Sequence, residues 1–317
     1  MKEIRNKVFT MYMANADNPN DLRLLSQSME MNQEILNYAS DKNELSHLEY
    51  DKEEKSLFLI YNVLDMSKED YHYQTLPITF YVCQDKLVTI YKDKSAYLIN
   101  QMEQLLQKNE GYSLYKFLFS VLFLISKNYF PSVENLNQER NRLNLLLRER
   151  TSKRELLELS DLETGLVYLV SSSKQNVLLI NQIKGLSNYL NLSDSEMEQL
   201  DDALIEAKQL LEMTQLSSQV LAQLEGTYNN VLNNELNDTM KILTLLSILL
   251  TIPSIVTGFF GINVPLPTVL THHPLGWVMV IGISVILWFV MAMILKVMMN
   301  YRKNKPSIQE RINHTAF

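Results

Sequence analysis

Two long apolar segments without any charge lie near the C-terminus of the chain. They run from Ile242 to Phe260 and from Gly276 to Leu295, which is 19 and 20 residues. About 20 apolar residues cross a hydrocarbon core of about 30 Å as a helix, and the helix is required because lipid offers the backbone no hydrogen-bond partner. Trp277 opens the second segment, a position typical of interfacial aromatic residues. The pattern predicts two transmembrane helices, in preference to a buried helical hairpin of a soluble protein.

The first part of the chain has a mixed pattern that turns helical at Leu114. Residues Ser56–Leu64 are β-rich, and Leu76–Cys83 and Leu87–Tyr91 predict a hairpin around Gln84-Asp85-Lys86. After them the spacing of Leu, Phe and Val predicts helices over Leu114–Asn128, which Pro131 ends, over Val133–Leu159 and over Leu162–Ile183, with Gly185 as a break.

A single very long helix follows. Ser193 is its predicted N-cap, and Glu196, three residues on, completes a capping box. No proline interrupts the pattern until Pro253, so the helix has about 60 residues or more and a length of roughly 90 Å. It therefore runs without a break into the first predicted span.

The fold class predicted is an α+β domain, then a very long stalk helix and two C-terminal transmembrane helices. The boundaries divide the chain into an α/β domain (1–112), a helical region (113–192), the stalk (193–241), the first span (242–263), an external loop (264–275), the second span (276–296) and a basic tail (297–317).

The distribution of Lys and Arg predicts the orientation in the membrane. The loop 264–275 has neither residue, whereas basic residues flank the spans on their other side: Lys241, Lys296, Arg302, Lys303, Lys305 and Arg311. The positive-inside rule then puts both termini in the cytoplasm of a multi-pass protein of the cell membrane. The N-terminus has no apolar signal region, and the single cysteine, Cys83, agrees with a reducing compartment.

Acidic residues concentrate directly before the first span. The chain carries a net charge of −7, which argues against a nucleic-acid partner. Between Asn191 and Met240 there are ten Asp or Glu and one basic residue, Lys208. The segment is either a solvated helix face or an acidic vestibule that attracts cations.

One face of the long helix is polar where it enters the membrane. Its members are small or polar and recur at intervals of three and four: Asn237, Met240, Thr244, Ser247, Thr251, Ser254 and Gly258. Such a stripe faces either neighbouring helices, through Ser and Thr hydrogen bonds, or water. Asn263 continues it at the mouth of the span. One helix cannot enclose water but several copies can, so the stripe indicates a homo-oligomeric pore.

The segment from Asn237 to Thr244, together with Pro253, Gly258 and Gly261-Ile262-Asn263, resembles the CorA family of divalent-cation channels. The resemblance extends more weakly through Tyr228, Asp202 and Asn128-Tyr129-Phe130, and covers the whole chain. It implies a funnel-shaped homopentamer in the lipid bilayer, with a Gly-x-Asn selectivity mouth at Gly261, Ile262 and Asn263. The implied pore lining is Asn237, Met240, Leu243, Ser247, Thr251, Ser254 and Gly258, and Thr244 joins it from the stripe.

Two departures from the family pattern bear on the transported ion. The signature methionine of Gly-Met-Asn is Ile262 here, and such variants resemble the ZntB branch, which moves zinc, although magnesium-type members have them too. The outer loop carries no acidic residue, and Thr251 stands where the family often has a bulky apolar gate residue. His272 and His273 are the candidates near the mouth for a zinc ligand, but adjacent residues do not point the same way in regular structure.

The ion chemistry favours Mg²⁺, with Co²⁺ or Ni²⁺ as further cargo. Mg²⁺ loses water reluctantly, and a ring of carboxamides accepts hydrogen bonds from its hydration shell without removing it. Rings of Met240 and Leu243 could close the pore by dewetting. The alternatives are a ZntB-type Zn²⁺ transporter and a membrane-anchored coiled-coil sensor or scaffold. The sequence has no phosphate loop, His-Glu-x-x-His or Gly-x-Ser-x-Gly, so neither an enzyme nor an organic cofactor is expected.

The resemblance also implies a regulatory metal site. Asp202 lies 35 residues before Asn237, the spacing at which family magnesium channels place a stalk carboxylate between subunits. Cytoplasmic Mg²⁺ would bind at Asp202, next to Asp201, together with an acidic residue of a neighbouring N-terminal domain. The other interpretation is a solvated acidic pair near a helix start.

Overall fold

The computed structural model describes residues 1–29, 33–41, 44–69, 72–149, 152–261 and 275–303. The strands are β1 Lys2–Arg5, β2 Thr10–Asn15, β3 Leu48–Asp51, β4 Ser56–Glu69, β5 His72–Cys83 and β6 Lys86–Tyr91. The helices are α1 Pro19–Met29, α2 Gln33–Ser40, α3 Ala96–Lys108, α4 Leu114–Glu149, α5 Lys153–Gly185, α6 Ser187–Leu190, α7 Asp194–Phe260 and α8 Gly276–Lys303. The chain divides into two compact units, Met1–Tyr228 and Asn229–Phe317.

The N-terminal unit contains a six-stranded mixed sheet in the order β1-β2-β6-β5-β4-β3. The predicted hairpin is confirmed, since β5 and β6 pair antiparallel with Cys83 opposite Lys86. Gln84 supplies the turn with a left-handed φ of 55°. Strands β2 and β6 pair in parallel, and this pairing joins the first part of the chain to the hairpin.

Both faces of the sheet are covered. The larger core forms between one face and helices α4 and α5, and alternate residues of the strands contribute to it, as in Met11 and Met13 of β2. The next residue, Ala14, belongs to a smaller core under α1 and α2 on the other face, with Val88 and Ile90 of β6. The period-two alternation thus assigns each strand residue to one of two cores.

Helix α4 corrects one prediction, because Pro131 does not end it. Pro131 lies inside the 36-residue helix Leu114–Glu149. A mid-helix proline costs about 3 kcal/mol through its missing N–H and its ring. Buried residues on either side, among them Tyr129, Val133 and Leu136, each contribute about 1.5–3 kcal/mol from burial, which outweighs that cost.

Helix α5 corrects another, because no break separates Leu159 from Leu162. The helix is continuous from Lys153 to Gly185, and the interruption between α4 and α5 comes earlier, after Glu149. Leu159, Leu162, Leu166 and Leu169 are all buried, so the apolar rhythm of three and four passes undisturbed through the polar pair at 160–161.

A buried asparagine completes the hydrogen bonding of β4 beyond the end of β3. Asn176 of α5 accepts from the backbone N–H of Asn62 at 3.0 Å and donates to its carbonyl at 2.9 Å. The Tyr129 hydroxyl donates to the same carbonyl at 3.0 Å. The pairing of β3 with β4 reaches only as far as Leu59, so these side chains replace a missing strand.

Asp65 of β4 is a carboxylate that is almost completely buried. Burial alone would raise its pKa, but hydrogen bonds from Ser67 and the ammonium of Lys94, 3.0 Å away, outweigh burial and hold the pKa below its usual value. The ionised form is therefore favoured by the folded state.

Helix α7 begins as predicted and is longer than the minimum expected, with 67 residues. The capping box is confirmed: the Ser193 backbone donates to the Glu196 carboxylate at 2.8 Å, and the Glu196 N–H donates to the Ser193 hydroxyl at 3.4 Å. Within the N-terminal unit, one face of α7 is buried with the spacing of a helix: Leu200, Ala203, Leu204, Ala207, Leu210, Thr214, Ser217, Leu221 and Tyr228. The Tyr228 hydroxyl lies 2.9 Å from both oxygens of Asn144 in α4.

Candidate cation pathway

Two of the described helices are long and apolar enough to cross a membrane. They are α7, through its C-terminal stretch, and α8 from Gly276 to Val297. Almost none of either apolar stretch is buried within the chain. Apolar surface on this scale needs lipid or other protein chains around it.

The polar stripe of α7 lies on an exposed face. The members at Asn237, Thr244, Ser247, Thr251, Ser254 and Gly258 are all exposed. Met240 and Leu243 have 54% and 56% of their surface exposed. Every predicted pore-lining position of α7 is thus exposed among the residues that the structure describes.

The opposite face of α7 is apolar and more covered. Its residues are Leu245, Ile248, Leu249, Ile252 and Val256, of which Val256 is only 6% exposed. At 100° per residue this face is centred about 130° around the helix from the polar stripe. The polar stripe is therefore one open side of this helix, beside an apolar side on which Ile242, Leu246 and Leu250 are also more than half exposed.

Each hydroxyl of the stripe donates its proton to the helix backbone. Thr244 donates to the carbonyl of Met240, Ser247 to that of Leu243, Thr251 to that of Ser247 and Ser254 to that of Leu250, at 2.7–3.1 Å. A hydroxyl has one proton and two lone pairs, so its remaining capacity is to accept. The face therefore offers oxygen lone pairs, which suit the outward-pointing protons of water around a cation.

Helix α7 ends at Phe260, and the next residue, Gly261, packs closely on the last turn of the helix. The Gly261 N–H bonds to the carbonyls of Thr257 at 2.9 Å and Gly258 at 3.2 Å. A Cβ at Gly261 would meet the Thr257 carbonyl oxygen at 3.0 Å, so a side chain there would push the chain away from the helix end. The other two predicted mouth residues, Ile262 and Asn263, and the loop histidines lie outside the described residues.

The two stalk aspartates have different surroundings. Asp201 forms an ion pair with Lys184 of α5 at 2.7 Å, whereas Asp202 is exposed. Within the part of the chain that the structure describes, no group of three or more His, Cys, Asp or Glu could hold a metal ion. Within one chain, the described residues thus add no third metal ligand to Asp201 and Asp202.

Sequence reasoning missed two polar features of α7. The carboxyl groups of Glu163 in α5 and Glu225 in α7 lie close together. Burial and the charge of Glu225 therefore raise the pKa of Glu163. Asparagines at 229, 230, 233 and 234 precede Asn237, and all four are exposed. The spacing of three and four, which marked the stripe, would have found the second feature.

Comparison with known proteins agrees with this architecture. The profile of the family described as "CorA-like Mg2+ transporter protein" matches residues 6–297. The cobalt/magnesium transport protein CorA of Methanocaldococcus jannaschii is 24% identical over 276 residues, 84% of this chain and 83% of that protein.

Solved structures share the fold. The complete CorA magnesium transporter of M. jannaschii superposes with a TM-score of 0.77 at 22% identity and covers 93% of each chain. Full-length CmaX gives a TM-score of 0.66 at 13% identity, over 89% of this chain and 87% of that one. The cytoplasmic domain of ZntB from Vibrio parahaemolyticus gives 0.58 at 13%, over 73% and 90%. With a family match over nearly its whole length, the chain belongs to the CorA-like Mg²⁺ transporter family, whose members carry divalent cations across membranes.

Proposed function

We propose that the chain forms a homopentameric pore for hydrated divalent cations, with Mg²⁺ as its main cargo and Co²⁺ or Ni²⁺ as further cargo. One observation carries the proposal: the exposed stripe of α7, whose hydroxyls all donate to the backbone and can only accept from outside. Five copies of this face around an axis would line a channel with oxygen lone pairs, and the pentamer itself rests on family membership.

The chemistry of the stripe suits an ion that keeps its water. Mg²⁺ prefers six oxygen ligands at about 2.0–2.1 Å and usually retains several waters. Water bound to a cation presents its protons outward, and hydroxyls with free lone pairs accept them. Anions would require donors, and the hydroxyls of this face have already used theirs on the helix backbone.

The closed state is proposed to form where the stripe becomes apolar. Met240 and Leu243 expose about half of their surface and lie within one helical turn of each other. A ring of each, contributed by every copy, would make a constriction that excludes water and so blocks a hydrated ion. Thr251, farther along, would remain wet.

At the other end of the span, Gly261, Ile262 and Asn263 are proposed as the selectivity mouth. The close packing of Gly261 on the Thr257 carbonyl fixes where the chain leaves the helix, and Asn263 follows two residues later. A carboxamide ring there would hold the incoming hydrated ion. Both termini and the N-terminal unit are proposed to lie in the cytoplasm of a cell-membrane protein, with segment boundaries as given by the sequence.

A second candidate is Zn²⁺ transport, which the Gly-Ile-Asn sequence in place of Gly-Met-Asn favours. Zinc prefers nitrogen or sulfur ligands at about 2.0–2.3 Å, and the stripe offers only oxygen apart from the thioether of Met240. The wall chemistry therefore supports Mg²⁺ over Zn²⁺.

Cytoplasmic Mg²⁺ is also proposed to regulate the pore at Asp202. Its carboxylate is exposed and could share a Mg²⁺ ion with an acidic residue of a neighbouring copy, whereas Asp201 already pairs with Lys184. Bound Mg²⁺ would neutralise carboxylates that otherwise repel each other and would stabilise the closed pentamer.

The test is uptake of Mg²⁺ by purified full-length chain in liposomes that contain a Mg²⁺-sensitive dye. Asn263→Ala should abolish uptake and leave the oligomer intact on size exclusion, while Ile262→Met should keep uptake because the two side chains are apolar and similar in volume. Undiminished flux in Asn263→Ala would remove the mouth from the proposal. A membrane-anchored scaffold would give no uptake from the wild-type chain at all.

A further inference from the structure

Five asparagines crowd the segment of α7 that precedes the apolar stretch. They occupy five of the nine positions 229–237 in the C-terminal unit, and all of them are exposed: Asn229, Asn230, Asn233, Asn234 and Asn237. Asparagine is a poor helix former, so five of them in a helix interior lower the stability of the helix. Helix propensity therefore does not explain their presence.

The five carboxamides share one side of the helix. At 100° per residue they fall within an arc of about 140°, and Asn230 and Asn233 lie within about 40° of Asn237. Thr244 and Thr251 fall in the same sector. The asparagines therefore extend the polar stripe by about two turns toward the N-terminal unit.

None of the five side chains has a hydrogen-bond partner among the residues that the structure describes. Elsewhere in that part of the chain, asparagines do have partners: Asn62 bonds to Ser46 at 2.6 Å, and Asn128 bonds to Gln101 at 2.7 Å. The exposed run thus differs from asparagines that serve the fold, and its donors and acceptors remain open to something outside the chain.

No charged residue lies in this sector between Asn229 and Asn237. Glu235 lies about 160° around the helix from Asn237, and Asp238 lies about 100° from it. Lys241 falls inside the sector but one turn beyond Asn237, and its ion pair with Asp238 at 2.6 Å draws its ammonium group aside. The carboxamide face from Asn229 to Asn237 is therefore polar and uncharged within a segment that is otherwise acidic.

We propose that Asn230 and Asn233, flanked by Asn229 and Asn234, form with the same residues of the other copies an uncharged carboxamide sleeve that holds a hydrated divalent cation on the cytoplasmic side of Met240. This inference rests on the proposed pore. Carboxamide oxygens accept from the water shell of the ion, and the absence of charge lets the ion leave again, as conduction requires. A carboxylate ring at the same place would bind the ion for longer.

The competing use of such residues is structural. A buried asparagine at a coiled-coil contact bonds to its counterpart in another copy and fixes register and oligomeric state. In that case the asparagine side chains would hydrogen-bond to each other between copies, and lengthening them by one methylene would disturb the assembly. The two uses give different results for Asn→Gln and for oligomeric state.

The first experiment measures Mg²⁺ uptake by full-length chain in dye-loaded liposomes. Asn230→Leu/Asn233→Leu should lower the initial rate at least tenfold, and Asn230→Gln/Asn233→Gln should recover at least fivefold over the leucine pair because the carboxamide returns. The matched control, Val231→Leu/Glu235→Leu, adds apolar surface on the opposite side of the same turns and should stay within threefold of wild type.

The second experiment is independent of flux. In a Cys83→Ala background, Asn230→Cys should react with a positively charged thiol reagent, and millimolar Mg²⁺ should slow that reaction at least threefold. Val231→Cys should react at a rate that Mg²⁺ leaves unchanged. Equal effects of Mg²⁺ at both positions would overturn the sleeve.

The remaining outcomes separate the sleeve from the pore. Wild-type uptake that persists fully in the leucine pair would overturn the sleeve and leave the proposed function standing. If both the leucine and the glutamine pairs elute as smaller species on size exclusion, the asparagines join copies and hold no ion. Absence of uptake by the wild-type chain would overturn the proposed function, and the sleeve with it.

Discussion

Replacing Thr251 by valine tests whether the hydroxyls of the stripe contact the hydrated ion, because it changes one heavy atom of the side chain. Valine keeps the shape and β-branching of threonine and removes only the hydroxyl, which is exposed and donates to the Ser247 carbonyl at 2.7 Å. Thr257 provides a matched control, since it is also exposed and its hydroxyl donates to the Pro253 carbonyl at 2.9 Å. Thr257 lies about 120° around the helix from Thr251, outside the stripe.

The expected magnitude follows from the hydrogen bonds that an ion loses on passing. Both variants lose a hydroxyl bond to the carbonyl four residues before it, and Thr257 loses a further contact with the Ser254 carbonyl at 3.2 Å. The control therefore disturbs the helix at least as much as Thr251→Val. At the ring of Thr251, a hydrated ion that engages about two hydroxyls loses about 0.5–1.5 kcal/mol for each, or about 1–3 kcal/mol in total. A barrier raised by that amount slows flux roughly 5- to 150-fold.

The assay is the initial rate of Mg²⁺ uptake into dye-loaded liposomes at equal protein content. We expect Thr251→Val to lower this initial rate roughly 5- to 150-fold and Thr257→Val to keep it within threefold of wild type. Both variants should elute as the wild-type oligomer on size exclusion. Equal rates for the two variants would mean that Thr251 does not face the ion and that the stripe serves contacts between helices.

Three further predictions concern the N-terminal unit and the stalk. Asp202→Ala, alone and with Asp201→Ala, should raise the Mg²⁺ concentration that suppresses current and increase protease cleavage of α7 in Mg²⁺; unchanged inhibition and protection in the double variant would leave these residues as surface charge. Asn176→Leu leaves a buried backbone N–H unpaired and should lower the free energy of unfolding by roughly 2–4 kcal/mol in urea titrations followed by circular dichroism, and a loss below about 0.5 kcal/mol would mean that water replaces the carboxamide. Because the folded state lowers the pKa of Asp65, its carboxylate stabilises the fold above the unfolded pKa of about 4, and that stability is lost as pH falls through the lower folded value. Asp65→Asn should therefore be less stable than wild type at pH 7, with a difference in unfolding free energy that narrows below about pH 4; a difference independent of pH would contradict this assignment.

Local patterns predicted the parts of the fold that depend on near neighbours. The capping box at Ser193 and Glu196, the hairpin turn at Gln84 and the length of α7 each follow from residues a few positions apart. The parallel pairing of β2 with β6 joins residues more than 70 positions apart, as in Thr10 with Lys86, and no local pattern contains it.

Errors arose where packing overrides a local signal. Pro131 normally ends a helix, but its neighbours are buried in the core and carry α4 past it. The partnership of Asn62 with Asn176 depends on where β3 stops, which the sequence of β4 alone does not encode.

For the candidate pathway, the spacing of three and four was enough to place the stripe on one face. The bonds of its hydroxyls to the backbone and the burial of Val256 on the apolar face follow only from the folded structure. The asparagines at 230 and 233 obey the same spacing but precede the apolar stretch, so a search confined to the membrane segment passes over them.

The most direct test of the account is cation selectivity of the wild-type chain. Purified full-length protein in liposomes should take up Mg²⁺ down its gradient, at a rate that does not depend on a pH gradient, and Zn²⁺ uptake should be at least tenfold slower at equal concentration. Zn²⁺ uptake that exceeds Mg²⁺ uptake and follows an imposed proton gradient would contradict a pore whose wall of hydroxyl and carboxamide oxygens carries hydrated Mg²⁺.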